Sequence, residues 1–252
     1  MTRPRTPAGT TTRRALLGAA PLAVAGLVAA CARPVPDGRG ADAAAPGPRN
    51  LAGLPVRIAH GPRDRDRVAL TCHGGSPHPD AEPLLEAAGR AATPLTLLVT
   101  GVWLEREPGR ARQALAAGHE LGNHGWHGWP LDRLPQERAR AEIAGCAERL
   151  RRLTGSPGAW FRAPGDGHAT PGVVAAARAA GYPHLLGQDV DACAAADRGT
   201  AALVRAAIGP CRPGSVIALP LGHPRTAEAL PLIAEELARR GLRPVTASRL
   251  LA

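Results

Sequence analysis

Apolar residues between positions 65 and 252 follow two spacings. Val68-Ala69-Leu70-Thr71, Leu95-Thr96-Leu97-Leu98-Val99-Thr100 and Val216-Ile217-Ala218-Leu219 are almost unbroken apolar runs. Such runs mark strands buried on both faces. Shorter strands are expected at 119–123, at Leu185-Leu186 and at Pro244-Val245-Thr246. Between the runs the apolar positions recur at helical spacing, over 81–91, 108–117, 135–153, 171–180, 200–207 and 226–240. The helix at 135–153 is the clearest, with Ala139, Ile143, Cys146, Leu150 and Leu153 on one face and Gly155 as its stop. Strands alternating with helices predict a parallel α/β fold. Chemistry in such folds collects at the C-terminal ends of the strands. That rule singles out His73, His124, His127, Arg162, Asp189, Asp191 and His223. A lone His usually serves structure, but several at successive strand ends point to one convergent site.

The first 64 residues break this pattern. Arg13-Arg14 precede an apolar run of 16 residues that holds Gly and Pro and ends at Cys31. A charged start, a short apolar stretch and a small-residue exit describe an export signal over residues 1–30. The Arg pair resembles a twin-arginine signal, and Leu27-Val28-Ala29-Ala30-Cys31 resembles a bacterial lipobox with Cys31 as the lipidated residue. A membrane-spanning anchor would need about 20 apolar residues. The expected location is therefore the outer face of the cell membrane, lipid-anchored, with secretion after cleavage elsewhere as the alternative. Residues 31–64, rich in Pro, Gly and Ala, read as a tether.

Composition removes some functions and leaves others open. Only 2% of the residues are aromatic, too few for stacking platforms along a nucleic-acid strand. The net charge is +10 and every basic residue is Arg. Without residues 1–30 there remain 27 Arg against 21 acids, a net of +6, so no nucleic-acid partner is expected. A monomer is expected. Four further cysteines, Cys72, Cys146, Cys193 and Cys211, allow three disulfide pairings in an exported protein. Cys146 reads as a buried thiol on its helix, and Cys193 with Cys211 as the better candidate pair.

The strand-end clusters resemble the polysaccharide deacetylase family, carbohydrate esterase family 4 with its NodB-homology domain. The resemblance covers about residues 66–251 in the family's order. Gly118-His119-Glu120-Leu121-Gly122-Asn123-His124 carries it most specifically. Val68-Ala69-Leu70-Thr71, Leu97-Leu98-Val99-Thr100-Gly101, Trp160-Phe161-Arg162-Ala163-Pro164, Asp189-Val190-Asp191 and Gly222-His223 support it. It implies a distorted (β/α) barrel over 65–252 and removal of acetyl groups, N-linked or O-linked, from an acetylated cell-envelope glycan. It also implies a divalent metal, usually zinc, held by one Asp and two His. An Asp base, a His acid oriented by an Asp, and an Arg beside the base complete the family's site. Here the resemblance places His73 at the base, Arg162 beside it and paired with an acid of the site, and His223 with Asp191 at the acid. Pro164 falls at a substrate-contacting position.

The chain departs from the family in two metal positions, where it has Gly74 and Gly128. His124 is in register, and His127 sits one residue before the expected ligand. Two readings follow: a rearranged site of His73, His124 and His127, with His78 as a further donor, or a domain that binds glycan without hydrolysis. Trp126 and Trp129, in the same loop, are candidates for a sugar platform.

Overall fold

The computed structural model describes residues 47–48, 50–74, 80–165 and 169–252. The expected export signal, Arg13-Arg14, Cys31, His78 and half of the expected tether lie outside the described residues.

The chain folds as parallel strands wrapped by helices. β1 is Arg57–Ile58, β2 Arg67–His73, β3 Thr96–Val99 and β4 Glu120–Asn123. β5 is Leu185–Leu186, β6 Val190–Asp191, β7 Val216–Pro220 and β8 Arg243–Val245. The helices are α1 Glu82–Arg90, α2 Gly101–Arg106, α3 Pro108–Ala116, α4 Gln136–Thr154, α5 Pro171–Ala179, α6 Thr200–Ile208, α7 Pro224–Arg239 and α8 Ala247–Leu250. The main sheet runs β4-β3-β2-β7-β6. β8 pairs with the first half of β2, and β3 with its second half. Single parallel bridges at Phe161 then link β4 to β5, and β5 pairs with β1. The sheet curls as a distorted barrel; among the described residues no ladder between β6 and β1 closes it.

The long strands form because their residues are apolar on both faces: the five residues 68–72 inside β2 and all of β3 and β7 are buried. α4 matches its expected span, and Gly155 ends it at φ 79°, a left-handed conformation that glycine takes without strain. Three features differ from expectation. β1 lies inside the stretch expected as tether: Ile58 is buried and its carbonyl accepts the N–H of Gly187. Two residues carry no periodicity, so β1 exists only through its pairing with β5. α8 is a four-residue helix locked by a buried carboxylate. Glu120 accepts from Thr96 Oγ1 at 3.0 Å, from the Ser248 amide at 3.1 Å, and from the Ser248 hydroxyl. Finally, all four described cysteines are free thiols. Cys193 follows the C-terminal end of β6, and Cys211 precedes the N-terminal end of the parallel β7. The expected pair therefore sits at opposite ends of the barrel.

Among the described residues, one cation is fully buried inside the barrel. Arg162, 1% exposed, follows the Phe161 bridge. Its Nε donates to the Leu186 carbonyl at 3.0 Å, and its two terminal nitrogens to Gly187 O and Thr71 Oγ1, both at 2.8 Å. Thr71 in turn donates to the Ile217 carbonyl at 2.9 Å. One side chain thus ties the β5 end to β2 and, through Thr71, to β7. Arg162→Leu leaves three buried acceptors without donors, and the expected cost is about 3 kcal/mol. Arg162→Lys keeps the charge but cannot span three acceptors, so it recovers only part. Urea unfolding of the three proteins checks this; an unchanged midpoint in Arg162→Leu would refute the clamp.

Candidate active site

The C-terminal strand ends open into a cleft of about 460 Å³, lined by His73, Gly74, His124, Gly128, Pro130, Gly165, Cys193, Ala194, Asp197, Pro220 and His223. β2 delivers His73 and β7 delivers Pro220. β4 runs straight into His124, whose amide donates to the Val99 carbonyl and so continues the ladder.

His73 and His124 stand edge to face, ring centroids 5.0 Å apart. His124 is buried, and its Nδ1 lies 3.0 Å from the Arg162 carbonyl. A carbonyl only accepts, so Nδ1 carries the hydrogen and Nε2 is left with its lone pair beside Gly74. Burial pushes His124 down to about 4, with the Arg162 charge adding to the effect. Burial also holds His73 well below the ordinary imidazole value, again with Arg162 and then His124 contributing. Both rings are therefore uncharged at neutral pH. Cys193 Sγ lies 3.8 Å from His73 Nε2. Burial raises this thiol strongly, so it stays protonated beside the imidazole.

The expected acid pair is rearranged. Asp191 does not orient His223. Its two oxygens accept from the Cys193 amide at 3.0 Å and from Gln188 Nε2 at 3.2 Å. That turn opens the short 3-10 helix Cys193–Arg198, which carries Asp197 across to His223, Nε2 to Oδ1 3.4 Å. His223 also caps α7, its Nδ1 accepting from the Arg225 amide at 3.2 Å. Nδ1 is then the acceptor, and the hydrogen sits on Nε2, toward Asp197. Arg162 was expected to pair with an acid. Among the described residues no carboxylate bonds it; backbone carbonyls and a hydroxyl take its donors. Asp189 lies at the other end of β6, where it pairs with Arg63 at 2.7 Å.

The loop after β4 turns its side chains away from the expected roles. His127 faces α4: its Nδ1 and amide donate to the two oxygens of buried Glu142, at 2.6 and 2.7 Å. The tri-His set is therefore not assembled. Trp126 is not a cleft residue; its ring wedges between α2 and α4 so closely that a Cβ on Gly101 would lie 2.3 Å from it. Trp129 is 49% exposed and stacks on His127. Pro164 is buried beside Gly125. His119 and His184 serve structure: His119 accepts the Leu95 amide, and His184 holds Leu51 and Pro55.

The family's metal needs three donors, and this cleft does not match that set. Gly74 and Gly128 supply no side chain, His127 is spent on Glu142, and His124 alone keeps its place. Among the described residues no three His, Cys, Asp or Glu side chains are gathered to hold a metal ion. Cys193, Asp197 and Glu142 are the residues that sequence reasoning missed. Cys193 had the right signal, two residues beyond a strand end, but read as a disulfide partner. Glu142 had one too, as an acid three residues from buried Ala139 on the helix face.

The fold is shared with known proteins. A peptidoglycan N-acetylglucosamine deacetylase solved with 4-naphthalen-1-yl-N-oxidanyl-benzamide superposes with a TM-score of 0.71 at 24% identity, covering 78% of this chain and 92% of that one. A family 4 pseudoenzyme from Bacillus anthracis gives 0.71 at 20% identity, covering 79% of this chain and 70% of that one. In sequence, the peptidoglycan-N-acetylglucosamine deacetylase of Bacillus cereus is 28% identical over 195 residues, 75% of this chain and 90% of that protein. Residues 60–185, half of the chain, match the family model for polysaccharide deacetylases, and the chain belongs to that family.

Proposed function

We propose that this protein is a hydrolase that removes acetyl groups from amino sugars of a cell-envelope glycan. One observation carries the reading: His73 and His124 stand 5.0 Å apart at the floor of a strand-end cleft, both uncharged at neutral pH. Family membership supports the reaction class, and the Bacillus cereus relative supports the substrate class. An uncharged His73 has a lone pair to take a proton from water as it attacks the acetyl carbon. The proton that His73 takes from water then passes to the leaving amine, and the Nε2 hydrogen of His223 on the cleft wall donates a hydrogen bond to the substrate. The products are acetate and a free amine. Burial, with the Arg162 cation adding to it, keeps His73 unprotonated and available as a base.

A second reading is favoured by Gly74 and Gly128, which remove two side chains from the family's metal set. In it, the cleft binds the acetylated glycan without turnover.

Acetate release from N-acetylated peptidoglycan fragments and chito-oligosaccharides separates the two, assayed after chelation and again with added zinc. The hydrolase reading expects release by the wild type and a loss of about 100-fold or more in His73→Ala. The pH profile carries a sign. His73 and His124 are depressed below 6.5, so the acid limb should lie below that value. Release that persists in His73→Ala removes that residue from the role. Release only with zinc, lost in His124→Ala, assigns the reaction to a metal. Glycan binding with no release in any condition establishes the second reading.

The place of action is also a proposal. We propose export through Arg13-Arg14 and attachment by a lipid on Cys31, supported by the sequence pattern around them. Cys31→Ser should leave the membrane fraction or accumulate as an uncut precursor on a gel. A variant that fractionates and migrates like the wild type would show the anchor to be wrong.

A further inference from the structure

Trp129 is a half-exposed indole whose plane is set in advance. Its ring lies parallel to the His127 imidazole, 4.1 Å between centroids and 7° between planes. The imidazole cannot turn, because Nδ1 and the backbone amide of the same residue both donate to Glu142, at 2.6 and 2.7 Å. Glu142 is itself buried on α4, one residue before fully buried Ile143. The arrangement therefore runs from the core outward: α4 fixes Glu142, Glu142 fixes His127, and His127 fixes Trp129.

His127 covers one indole face, so the 49% exposure falls on the opposite face and the edges. Gly128 and Pro130, the residues on either side of Trp129, both line the cleft. The open indole face is thus at the rim of the site. A rigid aromatic plane beside a polar cleft suits the C–H face of a pyranose ring, which presents apolar hydrogens to the π-cloud. It suits a protein partner poorly. The other exposed large apolar residues, Leu54 and Leu232, line cavities elsewhere on the molecule. Among the described residues no contiguous apolar patch surrounds Trp129.

We infer that Trp129 is a sugar-stacking subsite that holds a pyranose neighbouring the acetylated residue in the cleft, with His127 and Glu142 as its positioning residues. The inference rests on the glycan reading above and adds to it a dependence on chain length. His127 is then no donor to the cleft. It is the back wall of the platform.

Calorimetric titration with N-acetylglucosamine and its β-1,4 tetramer tests this. The wild type should bind the tetramer more tightly than the monomer. Trp129→Ala should weaken the tetramer by about tenfold and leave the monomer unchanged, while Trp129→Phe keeps most of the gain. His127→Ala should lose part of the same gain. The double variant should be no weaker than Trp129→Ala, because His127 acts through Trp129. Trp129→Ala with wild-type tetramer affinity overturns the inference. A wild type that binds monomer and tetramer equally overturns it alone. A wild type that binds neither overturns the glycan reading with it.

Discussion

The guanidinium of Arg162 sits in the bore of an α/β barrel with no carboxylate bonded to it among the described residues. A buried cation is costly unless its hydrogen bonds are all met. Here Leu186 O, Gly187 O and Thr71 Oγ1 give each of its three nitrogens an acceptor. β5 is only two residues long and cannot define its own position. Arg162 holds its end, and β5 holds β1. The backbone of the same residue acts on the site. The Arg162 carbonyl takes the Nδ1 hydrogen of His124, which leaves Nε2 toward Gly74. Burial lowers Arg162 itself to about 10, so the charge persists at neutral pH.

That charge sets the character of the cleft. Burial is the larger cause in keeping His73 and His124 uncharged, and the cation beneath them works in the same direction. A protonated thiol, Cys193, lies next to His73. The floor is thus lined by neutral groups above one fixed positive charge. Two imidazoles with free lone pairs suit proton abstraction or the polar edge of an acetamido group. They differ from the family's acidic floor, which the chain has lost at Gly74.

The walls show how one loop redistributes roles. Asp191 sits at the family position but closes a turn, and the short helix that follows brings Asp197 to His223. His127 is one residue from a ligand position, and a single buried acid on α4 claims it. In both cases the side-chain type expected of the family is present and its hydrogen-bond partner is different. A carboxylate or imidazole serves whichever donor or acceptor its backbone brings within reach.

The long strands, the helix from Gln136 to Thr154 with Gly155 at its end, and the order of the strand-end motifs were all legible in the sequence. These depend on local periodicity and on spacing along one segment, which a linear pattern records. The candidate residues at the strand ends were legible as well, because a parallel sheet directs all its C-terminal ends to one side. Of the two-residue strands, Leu185–Leu186 was legible as an apolar pair, whereas Arg57–Ile58 and Val190–Asp191 left no trace, since each is a strand only by pairing with a segment far away in the chain. The free state of Cys193 and Cys211 depended on which end of the barrel each one reaches. His127 facing Glu142, Asp197 replacing Asp191, and Arg162 bonding carbonyls in place of an acid were settled only in three dimensions. Each is a choice among partners of similar chemistry, and distance, set by how loops and helices pack, makes that choice.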